Sequence, residues 1–142
     1  MPEISFYVLP TELTQERYLF ACKLIEKAYR NGHFAYVLTD SPEQSQHLDN
    51  LLWTFRAGSF VPHQIYQDTI PEQINTVLIG TSEPPEHWRN TLINVSSQLP
   101  KSFQQAEKVL EILDNSEACK AQGRQRYRQY QQAGIEVVTH KI

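Results

Sequence analysis

Three cations and one aromatic residue near the C-terminus have the types and spacing to hold an anionic ligand. They recur at helical spacing, with a tyrosine between the last two cations: Lys120, Arg124, Tyr127 and Arg128. On a helix these four side chains share one face, and Arg126 lies on the opposite side. A guanidinium can hold a carboxylate through two parallel hydrogen bonds while an aromatic ring packs against an apolar group. The pattern therefore predicts a surface for an anion that also carries an apolar part.

The charge of the chain is unevenly distributed. The 142 residues carry 13 lysines and arginines against 16 aspartates and glutamates, a net charge of −3. Residues 117–134 nevertheless hold four of the 13 cations and a single carboxylate, Glu117, which makes this segment +3 and leaves the remainder at −6. A general nucleic-acid-binding protein is more often basic across a broad face. A small positive segment on an acidic chain instead indicates a compact anionic target.

Trp53 is a second candidate binding residue, in a segment with helical periodicity. One stripe of that helix is apolar and is predicted to face the core: Leu48, Leu51, Leu52 and Phe55. Trp53 lies roughly 140° from Leu48 on the same wheel and points away from the stripe. It either packs under a neighbouring loop or forms an exposed aromatic anchor, the residue type most enriched at binding hot spots. Phe60 and Val61 follow in SFVPH (residues 59–63), where they either join the core or form a second apolar contact surface.

The common signatures of catalysis and nucleotide binding do not occur in the sequence. The turn after the first predicted strand contains no glycine, and there is no GxxxxGK[ST], HExxH or GxSxG motif. Asp40 has the position of a ribose-binding acid, but without a glycine fingerprint a helix-capping role is favoured. The five histidines are scattered and Cys22 and Cys119 lie far apart, so no metal-ligand spacing is present and the thiols are predicted to be reduced and without a chemical role. The sequence predicts no intrinsic catalysis, no cofactor and no metal.

Predicted strands and helices alternate along the chain. The predicted strands are residues 3–9, 34–40, 76–80, 91–96 and 135–140. A first helix is predicted to follow Thr14, which could act as its cap, and further helices are predicted over 41–55, 102–113 and 116–133. Residues 56–75 are predicted to form an irregular loop. This alternation predicts an α/β fold with three layers, a mostly parallel sheet covered by helices on both faces. One domain spanning 1–142 is expected from the length. No run of about 18 apolar residues and no secretion signal is found, so a cytoplasmic protein without a membrane segment is expected.

Taken together, these segments resemble the chi subunit family of bacterial DNA polymerase III. The resemblance covers nearly the whole chain and rests on ISFYVL, ACKLIEKAYRNGHFAYVLTD, LDNLLWTFRAGSFVPH, LINVS and GRQRYRQYQQAGIEVVTHKI. It implies a nucleotide-type fold without a phosphate-binding loop. Residues 104–107 are more polar than is expected for the third helix of this family.

The resemblance also implies a function and a set of sites. It implies a non-catalytic accessory subunit of the replicase that pairs with the psi subunit and so joins the clamp loader. It further implies binding to the acidic, phenylalanine-terminated C-terminal tail of single-stranded DNA-binding protein, with DNA contacted only indirectly. The tail pocket implied by the resemblance consists of Trp53, Lys120, Arg124, Tyr127 and Arg128. In that pocket Arg124 would hold the terminal carboxylate of the tail, and the terminal phenyl ring of the tail would pack against Trp53 or Tyr127. The implied psi contact consists of Phe60, Val61, Pro62 and His63.

Two other functions compete with this reading. A direct single-stranded nucleic-acid-binding module would stack bases on Tyr127 and Tyr130 and would lose affinity steeply with salt. The acidic remainder of the chain argues against it. A nucleotide-dependent enzyme would use the strand ends of the sheet, and the missing phosphate loop argues against that alternative.

Overall fold

The computed structural model describes residues 2–142. Within this range the chain forms a sheet of seven strands: β1 (Glu3–Val8), β2 (Tyr36–Leu38), β3 (His63–Ile65), β4 (Val77–Gly80), β5 (Thr91–Asn94), β6 (Lys108–Leu113) and β7 (Val137–Lys141). The strand order is β3-β4-β2-β5-β6-β1-β7, and every neighbouring pair is parallel. The helices are α1 (Thr14–Arg30), α2 (Pro42–Thr54) and α3 (Glu117–Gln132), with short 3-10 helices at Glu86–Trp88 and Phe103–Gln105.

The helices cover both faces of this sheet. Because successive strand residues point to opposite faces, Val37 packs in the core layer beneath α1 and α2, whereas its neighbour Tyr36 packs in the layer beneath α3. The first layer also holds Leu48 of α2, and the second holds Tyr130 of α3. The predicted three-layer α/β fold with a parallel sheet is therefore confirmed.

Hydroxyl groups define the starts of two helices. The Ser41 hydroxyl accepts a hydrogen bond from the Gln44 N–H ahead of α2, and Ser116 has the same role ahead of α3. The predicted cap at Thr14 is wrong. Thr14 is the first residue of α1, and the preceding residue, Leu13, makes no capping hydrogen bond through its side chain.

The helix predicted over residues 102–113 is wrong over most of its length. The segment contains one helical turn at Phe103–Gln105 and then the central strand β6. Val109 of β6 is buried on the α3 face of the sheet and Ile112 on the opposite face, which is typical of a parallel strand covered on both sides. Gln104 and Glu107 are exposed beside the turn, which explains the polarity of this segment.

The loop predicted over residues 56–75 contains one short strand that the prediction missed. Apart from β3, which is three residues long and lies at one edge of the sheet, the segment has no regular secondary structure. At the opposite edge lies β7, whose one partner strand within residues 2–142 is β1.

Candidate functional site

The cationic face of α3 forms as its spacing predicts. Arg124 and Arg128 are exposed, and neither makes an ion pair within residues 2–142. Lys120 is half-buried, and its ammonium lies 3.3 Å from the exposed Glu117 carboxylate. Because Glu117 is exposed, such a pair at the surface is worth little and opens readily to a competing carboxylate. Two free guanidinium groups and one weakly held ammonium therefore face solvent along α3.

An open, mainly apolar groove lies between this face and the sheet. Its volume is about 200 Å³, and its lining comes from four elements: Phe6, Val8, Leu113, Lys120, Gly123, Arg124, Tyr127 and Thr139. The Tyr127 ring packs edge-on against Phe6, with ring centroids 5.6 Å apart. The structure thus brings Tyr127 and two of the predicted cations to one concave site that suits an apolar side chain next to a negative charge.

Gly123 allows α3 to lie close enough to the sheet to form this groove. A Cβ atom added at Gly123 would lie 2.5 Å from Cδ1 of Leu113, closer than two carbon atoms can approach. The groove walls leave no pattern in the sequence, because they come from three separate strands. Gly123 was the available signal, since a glycine retained inside a helix often has a packing reason.

The opposite side of α3 is anchored by a buried ion pair. Arg126 is 3% exposed, and its Nε donates to Oε1 of the fully buried Glu111 at 3.1 Å. An Nη1–H of Arg126 donates to the Ser97 carbonyl at 3.0 Å, and Asn94 and Tyr130 donate to the same carboxylate. Burial raises the pKa of Glu111, and Arg126, Tyr130 and Asn94 oppose that rise. One of the four cations counted in the positive segment is therefore neutralised inside the protein.

Tyr130 cannot stack bases in the way that the nucleic-acid alternative requires. Its side chain is 0% exposed, its hydroxyl donates to Glu111 at 2.7 Å, and its ring packs edge-on against Phe103. This part of the alternative is wrong, because the ring belongs to the core.

Trp53 is not part of the groove. It lies on α2, which packs in the core layer on the other face of the sheet from α3. The indole is 56% exposed, as the helical wheel predicts, but a single pocket containing Trp53 together with the four residues of α3 does not form. The wheel gives the orientation of a side chain relative to its helix and carries no information on which face of the sheet that helix covers.

Trp53 instead belongs to a second surface, which we call the aromatic patch, formed by Trp53 and Phe60. Phe60 is 67% exposed, and its ring centroid lies 6.0 Å from that of Trp53. Two of the other residues predicted to contact psi are not available as surface contacts, because Val61 is 2% exposed and the His63 ring is buried. Pro62, between them, is half-buried.

The loop that presents Phe60 is held by a buried carboxylate of α1. Glu26 is 5% exposed and lies 3.0 Å from Nη1 of Arg56 and 3.4 Å from Nη2 of Arg30. The Ser59 hydroxyl donates to the same carboxylate. Because Ser59 directly precedes Phe60, these contacts fix the backbone from which the ring projects.

The crevice where doubly wound folds bind nucleotides is crossed by protein groups. Such a crevice lies between neighbouring strands whose helices cover opposite faces, here β1 and β6. The Asn115 N–H donates to the Thr11 carbonyl across it at 2.7 Å, and Arg17 lies 3.5 Å from the Asp114 carboxylate. Asp40 accepts hydrogen bonds from the N–H and hydroxyl of Ser97, so its predicted role as a cap of α2 is wrong.

Two kinds of feature are absent from residues 2–142. No group of three or more histidine, cysteine or acidic side chains has the geometry to hold a metal ion. None of the helices in this range has the length and apolar character that crossing a membrane requires.

The fold and these surfaces define a doubly wound parallel α/β protein without a phosphate-binding loop. The chain belongs to the family described as DNA polymerase III chi subunit, HolC, whose profile matches residues 1–138. This family consists of replication accessory subunits. The DNA polymerase III subunit chi of Pseudomonas aeruginosa is 30% identical over 142 residues, covering 100% of this chain and 98% of the relative. The subunits of the same name from Haemophilus influenzae and Escherichia coli are 25% and 22% identical, covering 97% and 98% of this chain and 96% and 97% of the relatives.

Proposed function

We propose that this chain is a non-catalytic bridge in the bacterial replicase. It joins the clamp loader, through the psi subunit, to the acidic C-terminal tail of single-stranded DNA-binding protein. The observation that carries the tail-binding part is the apolar groove of about 200 Å³ with the unpaired guanidinium of Arg124 in its lining. A phenyl ring next to a carboxylate has the shape and charge to match such a groove.

In this proposal the terminal ring of the tail packs against Tyr127. The floor of the groove is apolar through Phe6 and Leu113, and Gly123 leaves the space that a ring needs. The terminal carboxylate is held by Arg124, and the acidic residues before it meet the other cations of α3. Trp53 has no part in this site, since α2 lies on the other face of the sheet.

We further propose that the aromatic patch of Trp53 and Phe60 is the psi contact. Exposed aromatic residues of this kind supply most of the energy of many interfaces. Because the patch and the groove lie on opposite sides of the sheet, one chain can hold psi and the tail at the same time. This separation is what a bridging subunit requires.

The expected tail affinity is modest. A short tail that becomes ordered on binding makes few contacts, so a dissociation constant in the micromolar range, about −8 kcal/mol, is expected. Several tails on one coated template would add avidity while each contact stays reversible. Binding through charged groups at the surface also weakens as salt is added.

Fluorescence anisotropy with a labelled acidic peptide ending in phenylalanine tests the tail site. Arg124→Ala is expected to weaken binding by more than about tenfold, because a hydrogen bond to a charged group is lost. Lys23→Ala is the matched control, since Lys23 is an exposed cation on α1, on the other face of the sheet. Undiminished binding by the Arg124→Ala/Tyr127→Ala double variant would remove the proposed site.

Two parallel titrations separate this proposal from its competitors. Trp53→Ala is expected to weaken binding of the isolated psi subunit and to leave the peptide affinity unchanged. A bare single-stranded oligonucleotide at the same salt concentration is expected not to bind. Binding of the oligonucleotide without binding of the peptide would favour the nucleic-acid module instead.

A further inference from the structure

One edge of the sheet has free main-chain hydrogen-bonding groups beside the groove. The N–H of Ile142 donates to the Val8 carbonyl of β1 at 3.0 Å. The N–H and C=O of one strand residue point to the same side, and this side alternates along the strand. The main-chain groups of Val137, Thr139 and Lys141 therefore point away from β1, and no residue in the described range bonds to them.

The same three residues turn their side chains toward α3. Thr139 lines the groove and Val137 packs in the core layer beneath α3, so Lys141 lies on that face as well. Lys141 makes no ion pair within residues 2–142. It ends β7 next to the last residue of β1, Val8, which also lines the groove. The groove is thus continuous with the free edge, and a third cation lies at their junction.

The cations of α3 lie on the flank of the helix that faces this edge. Arg126 lies on the other flank and bonds to Ser97, beyond the end of β5. Tyr127 lies on the near flank and contacts Phe6 of β1, the strand next to β7. Lys120 and Arg124 share the flank of Tyr127 and line the groove together with Thr139 of the edge strand. A strand added to β7 would therefore run directly beside them.

We propose that the acidic tail binds as an eighth strand, parallel to β7, on this free edge. The inference rests on the proposed function and adds the main chain of the tail to its recognition. The terminal carboxylate lies among Lys120, Arg124 and Lys141, at the carboxyl end of β7, so the rest of the tail runs back toward Val137. An extended peptide that adds a strand gains affinity from main-chain hydrogen bonds and specificity from alternate side chains.

The spacing of the cations fits such a strand. Residues four apart on a helix are separated by about 6 Å along its axis. Alternate residues of a strand, which share one face, are separated by about 6.6 Å. Every second side chain of the added strand therefore meets the next cation in the series Lys120, Arg124 and Arg128. The free cations of Lys141 and α3 require an acidic strand and reject a basic one.

Amide hydrogen exchange, followed residue by residue in NMR spectra, tests this proposal. Addition of the acidic phenylalanine-terminated peptide is expected to slow exchange of the Val137, Thr139 and Lys141 amides by at least about fivefold, because each gains a hydrogen bond. The amides of Val138 and His140 already face β1 and are expected to change little. Equal changes at all five amides, or no change, would overturn the proposal.

Singly N-methylated peptides give an independent measurement on the ligand. A methyl group on a main-chain nitrogen that faces β7 removes one donor, and about a fivefold loss of affinity is expected at every second position. Methylation at the intervening positions is expected to have little effect. A loss without this alternation would overturn the added strand and leave the tail site intact. Failure of the unmodified peptide to bind would overturn both.

A variant of the protein, instead of the peptide, tests the same edge. Val137→Pro removes an N–H that points away from β1, so the pairing of β1 with β7 is preserved, and proline is tolerated at the first residue of an edge strand. Val137→Ala is the matched control for the lost side chain. The proline variant is expected to bind the peptide at least about fivefold more weakly than the alanine variant, with thermal unfolding used to show that both are folded. Equal affinity of the two would contradict the proposal.

Discussion

The indole of Trp53 lies against the buried imidazole of His63, with ring centroids 4.7 Å apart. Nδ1 of His63 lies 2.7 Å from the Val61 carbonyl oxygen, and Nε2 lies 3.2 Å from the Asp49 carbonyl oxygen. Both partners are main-chain carbonyl oxygens, and together they hold the ring in one orientation. The Asp49 carboxylate also lies close to the ring, 3.3 Å from Nε2. His63 therefore supports the aromatic patch from beneath.

We expect His63→Gln to weaken psi binding although the His63 side chain itself is buried. Glutamine cannot place polar atoms against both carbonyl oxygens that the two ring nitrogens contact, so one contact is lost and Trp53 loses the flat surface beneath it. A loss of about tenfold in psi affinity is expected from one lost hydrogen bond and the reduced packing, measured by titration of the isolated psi subunit. His33→Gln is the control, since His33 follows the end of α1 and lies beside Thr91 and Lys108 rather than beside the patch. Affinity for the tail peptide should not change, and a psi affinity equal to that of the wild type would contradict this support role.

Gly123→Ala is expected to lower both stability and tail binding. Alanine improves helix propensity by about 1 kcal/mol, but its Cβ would meet Cδ1 of Leu113 at 2.5 Å, so the Leu113 side chain, which lines the groove, would have to shift. Overpacking of this kind costs about 1–3 kcal/mol, so the net free energy of unfolding should fall. Urea denaturation and peptide titration measure the two effects.

Leu113→Val in the Gly123→Ala background provides the corresponding rescue. The shorter side chain makes room for the new methyl group, so part of the lost stability should return. Gln122→Ala, at an exposed neighbouring position of α3, is the control for helix propensity alone. A Gly123→Ala protein that is more stable than the wild type would show that the Leu113 side chain shifts without cost.

Arg126→Met is expected to destabilise the protein by about 3–5 kcal/mol. Glu111 is 0% exposed and lies beneath α3, and the substitution leaves its buried carboxylate without a cation. Replacing both partners, as in Arg126→Met/Glu111→Leu, should cost less because no uncompensated charge remains. Chemical denaturation of the three proteins measures this order. A single variant within about 0.5 kcal/mol of the wild type, the range of ordinary surface substitutions, would contradict a structural role for the pair.

The fold class could be predicted from the sequence because alternating apolar segments and turn residues fix the element types locally. The error at β6 has a physical cause: Glu111 interrupts the apolar run of a buried strand, and its partner Arg126 is 15 residues away. The exposure of Trp53 followed from the wheel, but its separation from Arg124 depends on which face of the sheet α2 covers. The groove could not be predicted because its walls meet only in the folded chain.

The two cysteines are expected to differ in reactivity, and Cys22 to give the protein a measurable pH dependence. Burial raises the pKa of Cys22 to about 12 and also raises that of the half-buried Cys119. At pH 8 iodoacetamide should therefore modify Cys119 slowly and Cys22 only after unfolding in urea, as read by mass spectrometry.

An unfolded thiol ionises at about pH 8.5, so the stability that Cys22 contributes is present below that pH and is lost as the pH rises toward 12. The free energy of unfolding of Cys22→Ala should consequently fall less between pH 8 and 11 than that of the wild type. Parallel pH profiles of the two proteins would contradict this assignment.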